Sequence, residues 1–180
     1  MTTSPAPDHL SRRAWLGVAV AAGLAGAGTA WWRLQPTSEA EGALQDLWTR
    51  VFEGPSGEPV AMSSFQGRQL VLNFWATWCP PCVEELPMLD RFRAAHHAQG
   101  WEVLGLAVDQ AAAVRGFLQK RPLGFPVAMA GLEGSALAKS LGNATGGLPF
   151  TVVLDGRGNV VQRKLGKLSE ADVARWATRA

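Results

Sequence analysis

Tyrosine is absent from the 180 residues, and cysteine occurs only twice, at Cys79 and Cys82. The first absence excludes any chemistry that needs a phenol. Two cysteines three positions apart cannot staple a small disulfide scaffold, so they form one local site or none. Charge is sparse as well, at 18% of residues with a formal net charge of +2. Three arginines face Asp8 and Glu39 in residues 1–40, leaving fourteen Lys or Arg and thirteen Asp or Glu after them. Neither part carries the basic stripe that a phosphate backbone requires, which argues against nucleic acid as a partner. Two of the three histidines, His96 and His97, are adjacent. Without further cysteines, the second ligand pair of a finger-like zinc site is missing. Gly and Pro are scattered without a period, which excludes collagen. What is plentiful is apolar surface: at 47% hydrophobic residues the chain supports one ordinary core plus an extension.

Part of that apolar content lies near the start. Residues 14–32 are uncharged, and as a helix they would run about 28 Å, close to the hydrocarbon thickness of a bilayer. Arg12 and Arg13 precede the run, an arrangement that keeps the N-terminus in the cytoplasm and exports the rest of the chain. Eleven of the nineteen residues are Ala or Gly, so the run is only mildly hydrophobic. Ser11-Arg12-Arg13-Ala14-Trp15-Leu16 resembles the twin-arginine export motif. Two fates stay open. Trp31-Trp32-Arg33 suits a retained anchor at a membrane interface, whereas Ala25-Gly26-Ala27 and Gly28-Thr29-Ala30 suit cleavage of a signal. No cysteine lies close after the run to carry a lipid. The expected organisation is an anchor or signal over residues 1–33, a linker over 34–44 and one domain over 45–180.

Within that domain, extended pieces at Trp48–Phe52 and Pro59–Met62 flank Gly54-Pro55-Ser56-Gly57, a hairpin signal. Leu70–Trp75 reads as a buried strand, and after Cys79-Pro80-Pro81-Cys82 a helical pattern runs to about Gln99, closed by Gly100. Pro87 should kink that helix by removing one N–H. Trp101–Val108 is a second strand, Gln110–Lys120 a helix, Phe125–Met129 a strand and Gly134–Leu141 a short helix. Leu148–Asp155 and Val160–Leu165 read as a hairpin, and Ser169-Glu170-Ala171-Asp172 as a capping box opening the last helix. This order predicts an α/β fold with a mixed central sheet and helices on both faces. Phe74 and Trp101 are assigned to the core, and Trp48 to packing under the N-terminal hairpin.

The chemistry falls on Cys79-Pro80-Pro81-Cys82, where a buried strand gives way to a helix. A helix N-terminus favours negative charge and lowers the pKa of the first thiol below its free value of about 8.5. Cys79 is therefore the expected nucleophile. Cys82, inside the first turn, is close enough for a disulfide and more buried, which suits a resolving thiol. The prolines are tolerated because the first helical N–H groups have no partner. Glu85 lies three residues after Cys82, on the same helical face. Trp78, just before the nucleophile, is placed at the rim that receives substrate.

Trp75-Ala76-Thr77-Trp78-Cys79-Pro80-Pro81-Cys82 resembles the active-site stretch of the thioredoxin superfamily. The neighbouring residues resemble its exported, membrane-tethered TlpA/ResA-like branch of thiol-disulfide reductases, over residues 45–180. Gly146-Gly147-Leu148-Pro149-Phe150 resembles the cis-proline segment at the far end. The resemblance implies a thioredoxin-like fold in which residues 110–129 form an inserted helix and strand. It implies a cis Pro149 facing the cysteines, with the Leu148 backbone available to an incoming chain. Phe150 departs from the small hydroxyl residue common there. Asn73 stands where cytosolic thioredoxins carry a buried Asp, so another base is needed. Glu85-Leu86-Pro87 matches the Glu-x-Pro of the branch, which makes Glu85 the expected proton acceptor for Cys82, while Glu84 faces solvent.

The expected protein is thus a monomeric protein-disulfide reductase on the outer side of a bacterial cytoplasmic membrane, or soluble in the periplasm if the signal is cleaved. It needs no cofactor beyond the redox-active Cys79–Cys82 disulfide. The resemblance implies recharging by a membrane thiol reductase of the DsbD or CcdA kind. Its substrates would be protein disulfides in cytochrome c biogenesis or copper-site assembly. An oxidant or isomerase, and a non-catalytic metal-delivery protein, are the alternatives.

Overall fold

The computed structural model describes residues 38–131 and 133–177. The proposed anchor or signal, with its arginine pair and cleavage triplets, lies outside the described residues. Helix α1 (Ser38–Thr49) comes first. Residues 38–44, expected in the linker, therefore begin a helix, and Trp48 lies in its last turn instead of opening a strand. The reason is packing: Leu47 is fully buried, and Ala43, Leu44 and Trp48 lean on the same core. Trp48 lies against Gly158 in a turn far along the chain.

Strands β1 (Val51–Glu53) and β2 (Pro59–Ala61) form the expected hairpin. Strand β3 (Gln69–Trp75) leads to helix α2 (Pro80–His96), which a short 3-10 turn extends to Gln99. Gly100 then reverses the chain with φ 91°, a left-handed conformation that suits glycine. Next come strand β4 (Trp101–Ala107), helix α3 (Ala111–Lys120) and strand β5 (Val127–Met129). Helix α4 (Gly134–Ser140), strands β6 (Phe150–Leu154) and β7 (Val160–Leu165) and helix α5 (Glu170–Ala177) complete the described chain. Pro87 does not end α2, which continues to His96. The capping box is present: the Asp172 amide donates to Ser169 Oγ at 3.2 Å, and the Ser169 amide to Asp172 Oδ2 at 2.9 Å.

The seven strands make one sheet in the order β2-β1-β5-β4-β3-β6-β7. Strands β3, β4 and β5 run parallel, and β6 pairs antiparallel with both β3 and β7. Alternation along β3 sorts its side chains. Leu70, Leu72 and Phe74 join Leu104, Leu106, Phe150 and Val152 in one core with Leu47 and Leu137. Val71 and Trp75 join Val103, Val153, Leu86, Leu89, Phe92 and Trp176 in the other. Trp101 belongs to this second core and Phe74 to the first, as expected. Each large side chain so buried contributes about 2 kcal/mol. Gly105 is required by close approach, because a Cβ there would lie 3.0 Å from Trp75 Nε1 and 3.1 Å from Phe125. Asn73 sits in β3 between Val71 and Trp75, in register with Thr151 of β6. Its side chain therefore enters the core beneath α2 as a polar intruder.

Candidate active site

At the C-terminal end of β3 the chain turns through Ala76-Thr77-Trp78 into α2. The Cys79 amide donates to the Ala76 carbonyl at 3.2 Å, and Cys79 is the N-cap of the helix. Cys79 and Cys82 are joined as a disulfide with their Cα atoms 5.3 Å apart. Cys79 keeps 4% exposure and Cys82 has none, so both residues are buried and Cys79 is the less covered of the two. Trp78 projects beside them with 65% of its surface exposed.

The first two helical residues, Pro80 and Pro81, have no N–H. The Val83 amide is already spent on the Cys79 carbonyl at 3.1 Å. Only the Cys82 amide is left in the first turn to face a charge on Cys79. This helix end favours a thiolate less than one built from ordinary residues.

Glu85 is 1% exposed. Its Oε1 accepts from Asn73 Nδ2 at 2.7 Å and its Oε2 from the Leu168 amide at 2.8 Å. Asn73 Nδ2 also donates to Thr151 Oγ1 at 3.0 Å, while Asn73 Oδ1 is buried without a hydrogen-bond partner. Burial pushes the Glu85 carboxyl above the ordinary glutamate value. The Leu168 and Asn73 hydrogen bonds and the nearby Lys167 and Lys164 charges offset only part of that rise. Glu84 is exposed, and it pairs with Lys167 across the surface. A cleft of about 330 Å³ lies between α2 and the segment 167–170, with Glu85 among its lining residues.

The Leu148–Pro149 peptide is cis. Pro149 is buried and its carbonyl accepts from the Gly166 amide at 2.9 Å. Leu148 is half-buried against both cores, including the one that holds the cysteines. Phe150, which replaces the usual small hydroxyl residue, is buried in the opposite core with its ring 5.8 Å from Phe74. Its bulk therefore does not line the dithiol.

Four contributors at this site were not anticipated from the sequence. Thr151 shares a face with Val153, and that alternation was its available signal. Leu168 acts through its backbone amide, which no side-chain pattern marks. Thr77 and Asp109 meet beside the turn that carries Cys79: Asp109 Oδ2 accepts from the Thr77 amide at 2.8 Å and from Thr77 Oγ1 at 2.6 Å.

A disulfide at the head of a helix, at the end of a central parallel strand and with a cis-proline segment opening the neighbouring strand, defines a thioredoxin-fold thiol-disulfide oxidoreductase. Residues 49–178 match the Redoxin family. The thiol-disulfide oxidoreductase ResA of Bacillus thuringiensis subsp. konkukian (strain 97-27) is 30% identical over 121 residues, 67% of this chain and 68% of that protein. The chain belongs to the Redoxin family, in the branch of the ResA-like thiol-disulfide oxidoreductases. ResA of Geobacillus kaustophilus (strain HTA426) is 30% identical over 120 residues, 66% of this chain and 67% of that protein. Among solved structures, a thiol:disulfide interchange protein of the thioredoxin family from Chlorobium tepidum TLS superposes with a TM-score of 0.65 at 29% identity. It covers 73% of this chain and 92% of that one.

Proposed function

We propose that the protein works as a reductase of protein disulfides outside the cytoplasmic membrane, with Cys79 attacking, Cys82 resolving and Glu85 handling the proton. The observation that carries the direction is the proline pair. A strongly oxidising dithiol needs its thiolate stabilised. Pro80 and Pro81 withdraw two amide donors from Cys79, so this pair favours the disulfide and gives its electrons away.

In the forward reaction the Cys79 thiolate attacks one sulfur of the substrate disulfide. The other substrate sulfur leaves as a thiolate and takes a proton from water. Cys82 then loses its proton to Glu85, and its thiolate attacks Cys79 Sγ. The Cys79–Cys82 disulfide forms, and the second substrate thiolate departs. Two electrons have passed from the dithiol to the substrate. A buried carboxylate with a raised pKa is matched to this task, because it holds a proton at higher pH than an exposed glutamate. Trp78 and the Leu148 backbone beside Pro149 receive the substrate chain.

A membrane thiol reductase of the DsbD or CcdA kind resets the pair. The apolar run of residues 14–32 tethers or exports the domain, and the substrates are cysteines awaiting haem or copper. The names of the Bacillus and Geobacillus relatives support the chemistry. Among the described residues no helix is long and apolar enough to cross a membrane, so the tether rests on the sequence of the first 32 residues.

Expression of the full chain carrying Cys82→Ala in its native host tests this reading. Proteins that await reduction accumulate as mixed disulfides on Cys79. If nothing disulfide-linked is trapped, the exchange mechanism is wrong. Equilibration of the wild-type pair with glutathione tests direction separately. A pair that stays mostly reduced at a poise that oxidises thioredoxin marks an oxidant or isomerase.

A further inference from the structure

Strands β3 and β4 stop pairing just before the dithiol. The Val108 amide donates to the Trp75 carbonyl at 2.8 Å, and beyond it the two chains part, one toward α2 and the other toward α3. The Thr77 amide, two residues further along, meets a side chain instead of a strand carbonyl. Asp109 Oδ2 accepts from Thr77 N at 2.8 Å and from Thr77 Oγ1 at 2.6 Å, while Asp109 Oδ1 accepts from the Gln110 amide at 2.7 Å. Gln110 is the N-cap of α3, and its own side chain makes no capping bond. One half-buried carboxylate therefore receives three donors and ties the start of α3 to the loop that carries the nucleophile.

We infer that Asp109 is a positioning residue for the dithiol: by holding Thr77, it fixes the Ala76–Cys79 turn and with it the placement of Trp78 and Cys79. The turn itself is closed by a single backbone bond, from the Cys79 amide to the Ala76 carbonyl at 3.2 Å. Thr77 and Trp78 are the two residues inside it, so restraining Thr77 from the β4 side restrains the whole loop. Trp78 is largely exposed and is not held by burial. Pro80 and Pro81 leave α2 short of amide donors, which makes the helix end a weaker anchor for Cys79 Sγ. Attack on a disulfide requires the thiolate, the attacked sulfur and the leaving sulfur in line. A loop released at Thr77 loses that alignment even though the cysteines and the fold persist. Asp109 touches neither substrate nor sulfur and acts only through Thr77. The inference rests on Cys79 being the attacking thiol.

The test uses the full chain, reduced beforehand and mixed with insulin in a single turnover, with mixed-disulfide formation tracked by acid quench. The melting temperature and the pH midpoint of Cys79 alkylation by iodoacetamide are read in parallel. Asp109→Ala is expected to slow attack on insulin by about tenfold or more and to displace the alkylation midpoint. Asp109→Asn restores most of the rate, because its carboxamide oxygen still accepts from Thr77. Thr77→Val added to Asp109→Ala costs little more, since both changes cut the same bonds. If Asp109→Ala attacks insulin at the wild-type rate with an unmoved midpoint, the inference fails. It also fails if Asp109→Asn is as slow as Asp109→Ala, or if the two losses simply add. A wild-type protein that does not reduce insulin at all counts instead against Cys79 as a reducing nucleophile.

Discussion

Asn73 Nδ2 donates to Glu85 Oε1 at 2.7 Å in the core beneath α2. A second donor, the Leu168 amide, meets Oε2, so the site's hydrogen bonds favour the ionised carboxylate while its burial favours the neutral one. Burial is the larger effect, and the carboxyl is raised. A raised folded-state pKa means that the stability it contributes is complete below the ordinary glutamate value and is lost as pH rises through the folded value. Above the folded value the fold therefore carries a buried, ionised carboxylate, which is the condition for accepting a proton from Cys82.

Glu85→Gln removes that base without removing the bulk. The resolving step is expected to slow by about a hundredfold, within the usual range for a lost general base. In the wild type the rate of mixed-disulfide resolution rises with pH as Glu85 gives up its proton. In the variant that rise disappears, leaving only the titration of Cys82 itself. Stopped-flow measurement of resolution against pH reads both effects, and an unchanged profile removes Glu85 from the mechanism.

Restoring a donor at the head of α2 should shift the dithiol toward a more oxidising potential. Pro81→His gives back one backbone N–H and adds a side chain that is cationic at low pH, and both stabilise the Cys79 thiolate. The Cys79 pKa falls and the equilibrium constant with glutathione moves by about tenfold or more, each tenfold corresponding to about 30 mV. Redox titration of the two proteins side by side checks this. A variant as reducing as the wild type would mean that the missing donors do not set the direction.

Much of this arrangement was readable in advance where one local rule dominates. Leu70–Trp75 is largely apolar because β3 is covered on both faces. Val160–Leu165 and the capping box at Ser169 are set by turn and cap chemistry that needs no distant partner. The helix over Ser38–Thr49 was not readable, since Pro36, Thr37 and Ser38 carry linker chemistry. Its stability comes from Leu47 entering a core built by residues far down the chain. Phe150 departs from the small hydroxyl residue common at its position, and only the alternation of β6 turns it toward Phe74. Asp109 and Leu168 escaped for a related reason, because their partners, Thr77 and Glu85, lie 32 and 83 residues away.

The Asp172 cap makes a separate prediction about acid stability. The Ser169 hydroxyl and amide, aided by Lys164, hold its carboxyl down from the ordinary 3.8 to about 2. A depressed pKa contributes stability that is present above the ordinary value and is lost as pH falls through the folded one. Asp172→Asn should remove that dependence between pH 3.8 and about 2. At neutral pH it should cost about 1 kcal/mol, the usual worth of a helix cap, and lower Tm by a few degrees. Thermal melts of both proteins across this range check the sign, and identical acid limbs would show that the cap does not couple to the proton.

Trp78 separates recognition of a chain from the chemistry of the pair. Its ring is exposed beside a nucleophile that is itself nearly covered, and a large flat apolar surface in that position is worth most to a polypeptide that lies across it. Small disulfides reach the sulfur without touching it. Trp78→Ala is therefore expected to raise KM for reduction of a protein disulfide such as insulin by about tenfold, since a lost aromatic contact costs roughly 1–2 kcal/mol. Its rate with oxidised glutathione should stay within about twofold of the wild type, because uniform binding is lost while the reacting atoms are undisturbed. Equal losses on both substrates would instead mean that Trp78 shapes the turn that carries Cys79, and its assignment to the substrate rim would be wrong.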